Sequence, residues 1–423
     1  MFRRFVGIDL GTSGLRLVVL DAGGACVRQL RRPWTEGFER SPGTWREAVR
    51  DLLRAVSEQL PREPTALAVD GTSGSLLLLD AGGRPIAPPL MYDDARALRE
   101  AARLQEIAPR DSAAHGATSS AAKLLWLRAQ GALAGAAGVL HQAEWIAGLL
   151  RGDFRRGDEN NALKLGYDPV AGCWPTWWQK ELGADARLLP EVVATGTPLG
   201  RIDPGWAADT GLHPESRIVA GTTDSVAGFL ATGIRDTRTG VTSLGSTLVL
   251  KQLCEHPLFD PDAGVYSHRV LGRWLVGGAS NSGGAVLAKH FTPESLDRLS
   301  AGIDPEESSG LDYYPLPGPG ERFPVSDPAY APRLDPRPCD DARFLHGMLE
   351  GIARIEAAGY RRLAELGATP VSRIVTVGGG ARNPAWTAIR SRLTGVSVET
   401  APHEEAAWGA ALLAMHGLGA APD

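Results

Sequence analysis

Short apolar runs separated by small turn residues recur along the chain, alternating with stretches whose apolar residues return at helical spacing. Phe5-Val6-Gly7-Ile8 and Leu15 to Leu20 flank the turn residues Leu10-Gly11-Thr12-Ser13-Gly14, a pattern that predicts a β-hairpin. The same signature returns at Ala66–Asp80 around Gly71-Thr72-Ser73-Gly74, and at Val241–Lys251 around Gly245-Ser246-Thr247, predicting two more hairpins. A further strand, Arg373 to Val377, runs into Gly378-Gly379-Gly380. Amphipathic helices are predicted at about 44–60, 95–106, 119–129, 225–232, 341–366 and 403–415. Strands interleaved with helices in both halves predict an α/β protein. The first and third hairpins each stand near the front of one half. That arrangement is compatible with a duplicated α/β domain holding a ligand between the copies, and also with turns that any α/β protein uses. The Pro- and Gly-rich stretch 304–340 reads as a long excursion or linker rather than core.

Composition narrows the function classes. A chain of 423 residues is long enough for two or three domains. Its net charge of −5 argues against nucleic acid or an anionic membrane as partner. No run approaches 18 apolar residues, so no membrane span is expected. The four cysteines show no CxxC spacing and there is no HExxH, which fits reduced thiols and a cytoplasmic location better than a disulfide or zinc framework. GxxxxGK[ST] is absent, excluding a P-loop nucleotide site. Only five of the cations are lysines (Lys123, Lys164, Lys180, Lys251, Lys289), and none lies in a glycine-rich turn.

Four segments carry candidate chemistry. In Asp9-Leu10-Gly11-Thr12-Ser13-Gly14-Leu15-Arg16, glycines let backbone N–H groups approach an anion while the hydroxyls add donors. Asp9 would repel phosphate unless Mg²⁺, held largely through water, stood between them. An Asp-capped turn is the other reading. Asp224, in Ala220-Gly221-Thr222-Thr223-Asp224, falls at a predicted helix start, as an N-cap or as a carboxylate kept ionised to accept a proton. Gly245-Ser246-Thr247 offers a second set of phosphate donors, and Gly378-Gly379-Gly380-Ala381-Arg382-Asn383 is either a tight connection or a bed for a flat ligand such as adenine. Asp93-Asp94-Ala95-Arg96 fits polyol hydroxyls or an acidic helix N-terminus, and the Trp174–Trp178 cluster a packed cap or a sugar-stacking platform.

Taken in order along the chain, these motifs resemble the FGGY family of carbohydrate kinases. The resemblance implies two ribonuclease-H-like domains of the actin, sugar kinase and Hsp70 superfamily with a central cleft: 1–231, completed by a returning helix in 403–423, and 232–402. It implies Asp224 and Asp9 as catalytic carboxylates, with Asp9 also organising Mg²⁺. It implies Gly11, Thr12, Ser13, Arg16, Gly245, Ser246, Thr247, Gly378, Gly379 and Asn383 as the ATP site. Ser73, Gly74 and Asp94, with Asp9 and Asp224, are implied at the sugar. The turn Asp70-Gly71-Thr72-Ser73-Gly74 stands where xylulokinases show Gly-Gln-Met-His-Gly. Together with Gly277–Leu287 it is similar to a short cyanobacterial and plant-type group, xylulose kinase-like in sequence and associated with D-ribulose kinase activity. The expectation is an ATP- and Mg²⁺-dependent kinase for the terminal hydroxyl of a ketopentose, D-ribulose first, acting as a monomer or homodimer. The rivals are a kinase for D-xylulose, L-ribulose or a polyol, and a sugar-independent ATPase or assembly protein of the same superfamily. The chain is shorter than most of that family by several tens of residues.

Overall fold

The computed structural model describes residues 2–35, 37 and 40–420. The last three residues of the predicted 403–423 segment lie outside them. The chain divides into two compact units, one formed by Met1–Gly233, His268–Leu271 and Glu405–Asp423, the other by Ile234–Ser267 and Gly272–Glu404.

The first unit is built on strands β1 (Arg4–Leu10), β2 (Gly14–Asp21), β3 (Cys26–Pro33), β4 (Thr65–Gly71), β5 (Leu76–Leu79), β6 (Gly138–His141), β7 (Arg156–Asp158), β8 (Glu191–Val193), β9 (Pro198–Arg201) and β10 (Arg217–Thr223). Six of them form a sheet in the order β3-β2-β1-β4-β10-β9, while β5–β6 and β7–β8 make two small sheets of their own. Its helices are α1 (Pro42–Ser57), α2 (Leu98–Ile107), α3 (Ser120–Ala129), α4 (Gln142–Arg151), α5 (Glu159–Lys164), α6 (Thr176–Leu182), α7 (Pro204–Thr210) and α8 (Asp224–Ala231). The first predicted hairpin is present, with Asp9 opposite Arg16 in an antiparallel β1–β2 pair. The second is not a hairpin: β4 pairs in parallel with β1 and β10, and β5 pairs with β6. Both runs are buried at every position, and such continuous apolar strands carry no alternation to name a partner.

The second unit repeats the plan with β11 (Thr239–Leu244), β12 (Leu248–Cys254), β13 (Tyr266–Val270), β14 (Arg273–Ser280), β15 (Arg373–Val377) and β16 (Ser397–Thr400), in the order β13-β14-β12-β11-β15-β16. In each sheet the first strand is antiparallel to the second on one side and parallel to a later strand on the other, and a further parallel strand follows (β1, β2, β4, β10; β11, β12, β15, β16). This is the ribonuclease-H-like topology, present twice. Helices α9 (Gly284–Ala288), α10 (Pro293–Ser300), α11 (Asp341–Glu365) and α12 (Pro384–Thr394) complete the unit. The stretch 304–340 forms no helix, yet it is part of the core rather than a linker. Tyr313 and Phe323 are buried, and the Phe323 ring fills the space that Gly278 and Gly359 leave open. Missing side chains on the strand and on α11 create the holes these rings occupy.

The last helix, α13 (Ala406–Gly417), belongs to the first unit and is buried on nearly all sides. It reaches β1 and α8 at backbone distance. A Cβ on Gly7 would stand 1.8 Å from the Ala407 carbonyl oxygen, and one on Gly409 would stand 1.8 Å from that of Ala227. Gly7→Ala and Gly409→Ala are therefore each expected to cost about 3 kcal/mol, the upper end of ordinary overpacking. Gly228→Ala, on α8 with no atom near its Cβ position, should instead gain about 0.5–1 kcal/mol of helix stability. Urea denaturation followed by tryptophan fluorescence checks both signs; wild-type stability in Gly409→Ala would refute the close-contact account.

Candidate active site

In the first unit the carboxylates gather where three neighbouring parallel strands end. Asp9 lies near the end of β1, in register with Asp70 on β4, which in turn is in register with Thr222 on β10. Asp224 opens α8 directly after β10. The carboxyl ends of adjacent parallel strands are where open α/β sheets bind ligands. Gly221 is required for the strands to meet, because a Cβ there would stand 1.7 Å from the Val69 carbonyl oxygen.

Charge balance in this cluster is uneven. Arg16 Nη1 pairs with Asp9 Oδ2 at 2.9 Å and its Nη2 reaches Ser13 Oγ at 3.2 Å. Asp70 is fully buried, and neither of its carboxyl oxygens accepts a hydrogen bond from an N–H or hydroxyl among the described residues. Burial pushes its pKa well above the carboxylate range, and the charges of Asp9 and Asp224 push the same way. Burial raises Asp9 too, against hydrogen bonds from the Asp70 carboxyl and from Arg16. Both carboxyls are pushed up, Asp70 the further, and of the two only Asp9 has a guanidinium beside it. Asp9 Oδ1 is buried with no hydrogen-bond donor of its own. A hard oxygen ligand left open, with no all-protein metal cage among the described residues, fits Mg²⁺, which takes one or two carboxylates and fills its sphere with water and phosphate.

The two predicted phosphate turns occupy equivalent places in the repeated topology, β1–β2 and β11–β12. In the first, the Gly11 and Ser13 carbonyls accept from Trp34 Nε1 (2.8 Å) and Trp34 N (3.2 Å), and Gly14 O accepts from Gly11 N. In the second, the Gly245, Ser246 and Thr247 carbonyls accept from Gly284, Ala285 and Gly245 N–H groups. Among the described residues the N–H groups of Thr12, Ser13, Ser246 and Thr247 have no acceptor in the chain. These turns have used their acceptors internally and present donors, the polarity an anion requires.

At the third glycine-rich segment the three glycines differ. Gly380 packs against Leu244 and Trp386, and Gly378 adopts φ +91° close to Leu244, whereas beside Gly379 only Arg382 Nη2 comes near, 3.7 Å from where a Cβ would stand. Asn383 acts as a cap: its Oδ1 accepts from Trp386 N at 3.0 Å and its Nδ2 donates to Ser300 Oγ at 2.8 Å. Glu404 falls inside the predicted 403–415 helix but precedes α13 in the structure, where its carboxylate accepts the Gly378 N–H at 2.7 Å.

Ser73 and Gly74 form the turn that follows β4 directly, so they adjoin the carboxylate cluster by chain connectivity. Asp94 belongs to a different loop, where it pairs with Arg96 at 2.8 Å, and Asp93 pairs with Arg40 at 2.7 Å. That loop is tied to the turn through Tyr92 N, which donates to Ser75 Oγ, and through Lys123, a buried lysine on α3 that composition alone did not single out. The tryptophans of the 174–178 cluster pack: Trp177 and Trp178 are buried in an apolar cluster with their rings 4.4 Å apart, and Trp174 Nε1 donates to Pro190 O.

A duplicated ribonuclease-H-like fold with acidic residues at its strand ends and donor-rich hairpin turns is the architecture of the actin, sugar kinase and Hsp70 superfamily, within which the fold alone does not choose. Residues 4–231 match the model of the N-terminal domain of the FGGY family of carbohydrate kinases, and residues 241–418 match that of its C-terminal domain. The chain belongs to this family and is an ATP-dependent carbohydrate kinase. It is 25% identical to the xylulose kinase of Escherichia coli over 441 residues, covering 97% of this chain and 89% of that one. Among solved structures, the gluconate kinase of Lactobacillus acidophilus superposes with a TM-score of 0.87 at 18% identity, covering 100% of this chain and 91% of that one. The ligand-bound xylulose kinase of the same organism gives 0.86, also at 18%, covering 99% and 90%. Two kinases named for different sugars thus share this fold about equally well, so the fold does not select the sugar.

Asp70 carries a pH signature. Its folded pKa lies above its unfolded value, so the folded state holds a proton that unfolding releases, and stability falls as pH rises from the unfolded toward the folded pKa. Asp70→Asn keeps a donor toward Asp9 and removes the ionisable group. It should stabilise the first unit by about 1–3 kcal/mol at about pH 8, with the gain fading toward about pH 4. Thermal melts at the two pH values check this; a gain independent of pH would show that Asp70 is not the protonated partner.

Proposed function

We propose that this kinase transfers the γ-phosphoryl group of Mg²⁺-ATP to the terminal hydroxyl of a ketopentose, D-ribulose first, with Asp224 as general base. The observation that carries the reading is the position of Asp224 in the first turn of α8, at the end of the strand that neighbours β4 and the Ser73–Gly74 turn. A base and a sugar-facing turn issuing from adjacent strands are what phosphorylation of a bound hydroxyl needs.

A sugar hydroxyl is far too weak an acid to ionise before reaction. Asp224 therefore takes the proton as the bond to phosphorus forms, and its contribution is position more than basicity. The Thr12 and Ser13 N–H groups of the first unit, and those of Ser246 and Thr247 in the second, are donors suited to phosphate oxygens, and Gly379 of the second unit offers a face for adenine. Asp9 would hold Mg²⁺ largely through water, and the ion supplies neutralisation of phosphate charge. Arg16 keeps Asp9 ionised and aligned for that task.

D-Ribulose is preferred because Asp70-Gly71-Thr72-Ser73-Gly74 lacks the Gln and His of the xylulokinase motif. D-Xylulose is the second reading, favoured by the name of the E. coli relative. The four cysteines are free thiols, three of them exposed, which supports work in a reducing compartment such as the cytoplasm.

Asp224→Ala should lower kcat by about 10²–10⁴-fold, the usual contribution of a positioned base, while ATP affinity stays close to wild type. A coupled ADP-release assay over ketopentoses, aldopentoses, hexuloses and polyols, with ATP binding followed by calorimetry, measures both. Near-wild-type turnover in the variant would overturn the base assignment, and flat activity across the panel would overturn the ketopentose assignment.

A further inference from the structure

The loop that follows β14 is the bed on which the turn at 245–247 rests. Gly284 N and Ala285 N donate to Gly245 O and Ser246 O at 2.7 and 3.0 Å, and Ser282 O accepts from Leu248 N at 2.7 Å. A Cβ on Gly283 would stand 2.7 Å from the Thr247 carbonyl carbon and 2.8 Å from Ser246 O. One on Gly284 would stand 2.7 Å from Gly245 O. Loop and turn therefore meet backbone to backbone, with no side chain between them to absorb a shift. Where residues 282–285 sit decides where the Ser246 and Thr247 N–H groups sit.

The loop is held by one buried carboxylate from the Pro- and Gly-rich stretch 304–340. Glu321 Oε1 accepts from Asn281 N at 2.7 Å and from Arg322 N at 2.8 Å. Its Oε2 accepts from Ser280 Oγ at 2.6 Å and from Tyr314 Oη at 3.0 Å. Ser280 Oγ passes the contact on by accepting from Ser282 N at 3.0 Å, and Asn281 Nδ2 donates to Gly320 O at 3.0 Å. Phe323, two residues further on, fills the hole at Gly278 and so fixes this part of the stretch against β14. Four donors, none of them a cation, thus surround a carboxylate that is 3% exposed. Burial on neutral donors costs desolvation that an apolar side chain would avoid. An apolar side chain, however, would leave the Asn281 and Arg322 N–H groups without acceptors and the loop without its anchor.

We propose that Glu321 is a positioning residue for nucleotide binding: through Ser280, Asn281 and Ser282 it fixes the loop after β14, and thereby places the Ser246 and Thr247 N–H groups for the phosphates of ATP. Glu321 itself touches no substrate. The inference rests on the reading of the 245–247 turn as a phosphate site.

The test uses the full chain, with nucleotide affinities from calorimetry, adenosine as a competitor that carries no phosphate, and thermal melts to establish folding. Glu321→Ala removes the acceptor of two N–H groups and should raise the Kd for Mg²⁺-ATP by about tenfold, while the Ki of adenosine and the KM for sugar stay within about twofold. Glu321→Gln keeps an oxygen for those N–H groups, and the hydroxyls of Ser280 and Tyr314 can turn to accept from its amide, so it should stay within about threefold of wild type. Ser280→Ala leaves Glu321 in place and takes away the acceptor of Ser282 N; it should raise the Kd for Mg²⁺-ATP by about threefold and serves if Glu321→Ala does not fold. Unchanged ATP affinity in folded Glu321→Ala, or in Ser280→Ala where the former does not fold, would overturn the positioning role. Equal loss of adenosine and ATP would overturn it too, as general damage to the second unit. Wild-type protein that binds ATP no more tightly than adenosine would overturn the phosphate reading of the turn and the positioning role with it. Selective loss of ATP in the variant, with no sugar of the panel phosphorylated by the wild type, would support the positioning role and overturn the ketopentose reading alone.

Discussion

The backbone-on-backbone seating of the last helix is the constraint on which the first unit's chemistry depends. Helix α13 lies against β1, which carries Asp9, and against α8, which carries Asp224, at distances that leave no room for a single methyl group at Gly7 or Gly409. Alanines fill the rest of that face, so the contact is rigid without long side chains to adjust. The positions of Asp9 and Asp224 are therefore set by a segment from the far end of the sequence. A residue that had to yield at either glycine would move β1 or α8, and with them these two carboxylates.

Seated this way, the strand ends collect negative charge that the protein does not fully neutralise. Arg16 serves Asp9, but Asp70 has no cation of its own, and burial beside Asp9 and Asp224 pushes its pKa well above the carboxylate range. Asp9 Oδ1 and both Asp70 oxygens are buried with no N–H or hydroxyl donor among the described residues. Such a cluster is poor structural design and reasonable functional design, since an arriving cation with its phosphates completes what the side chains leave unfinished.

Much of this was legible in the sequence, and the parts that were not share a cause. The hairpins at 5–20 and 241–251 have turn chemistry and flanking apolar runs that name their own partners. The β4 and β5 runs are apolar throughout, so nothing local distinguishes pairing with each other from pairing with β1 and β6. The Pro- and Gly-rich 304–340 stretch looked like a linker because its composition is that of one; the holes at Gly278 and Gly359 that accept Phe323 are visible only once strand and helix are assembled. Asp9, Asp224 and the hairpin turns stood out because glycine and hydroxyl residues cluster around them. Asp70 was part of a quoted motif, but its meaning depends on the register that sets it beside Asp9. Lys123 was hidden among the apolar residues of α3, where a lysine ordinarily reads as a solvent-facing position.

The scarcity of lysine acquires its sense from the three turns considered together. The turns at 11–14, 245–247 and 72–74 all consume backbone carbonyls within the protein and leave N–H groups directed outward. In the turns at 11–14 and 245–247 the carbonyls are taken by neutral donors, Trp34 in the first and the opening residues of α9 in the second, together with an N–H group of each turn itself. In the turn at 72–74 the acceptors are taken by the Ser75 N–H and by the side chains of two of the five lysines, Lys123 and Lys164. Lysine in this chain thus enters one of the three turns, as an internal donor to backbone carbonyls, and stays out of the other two.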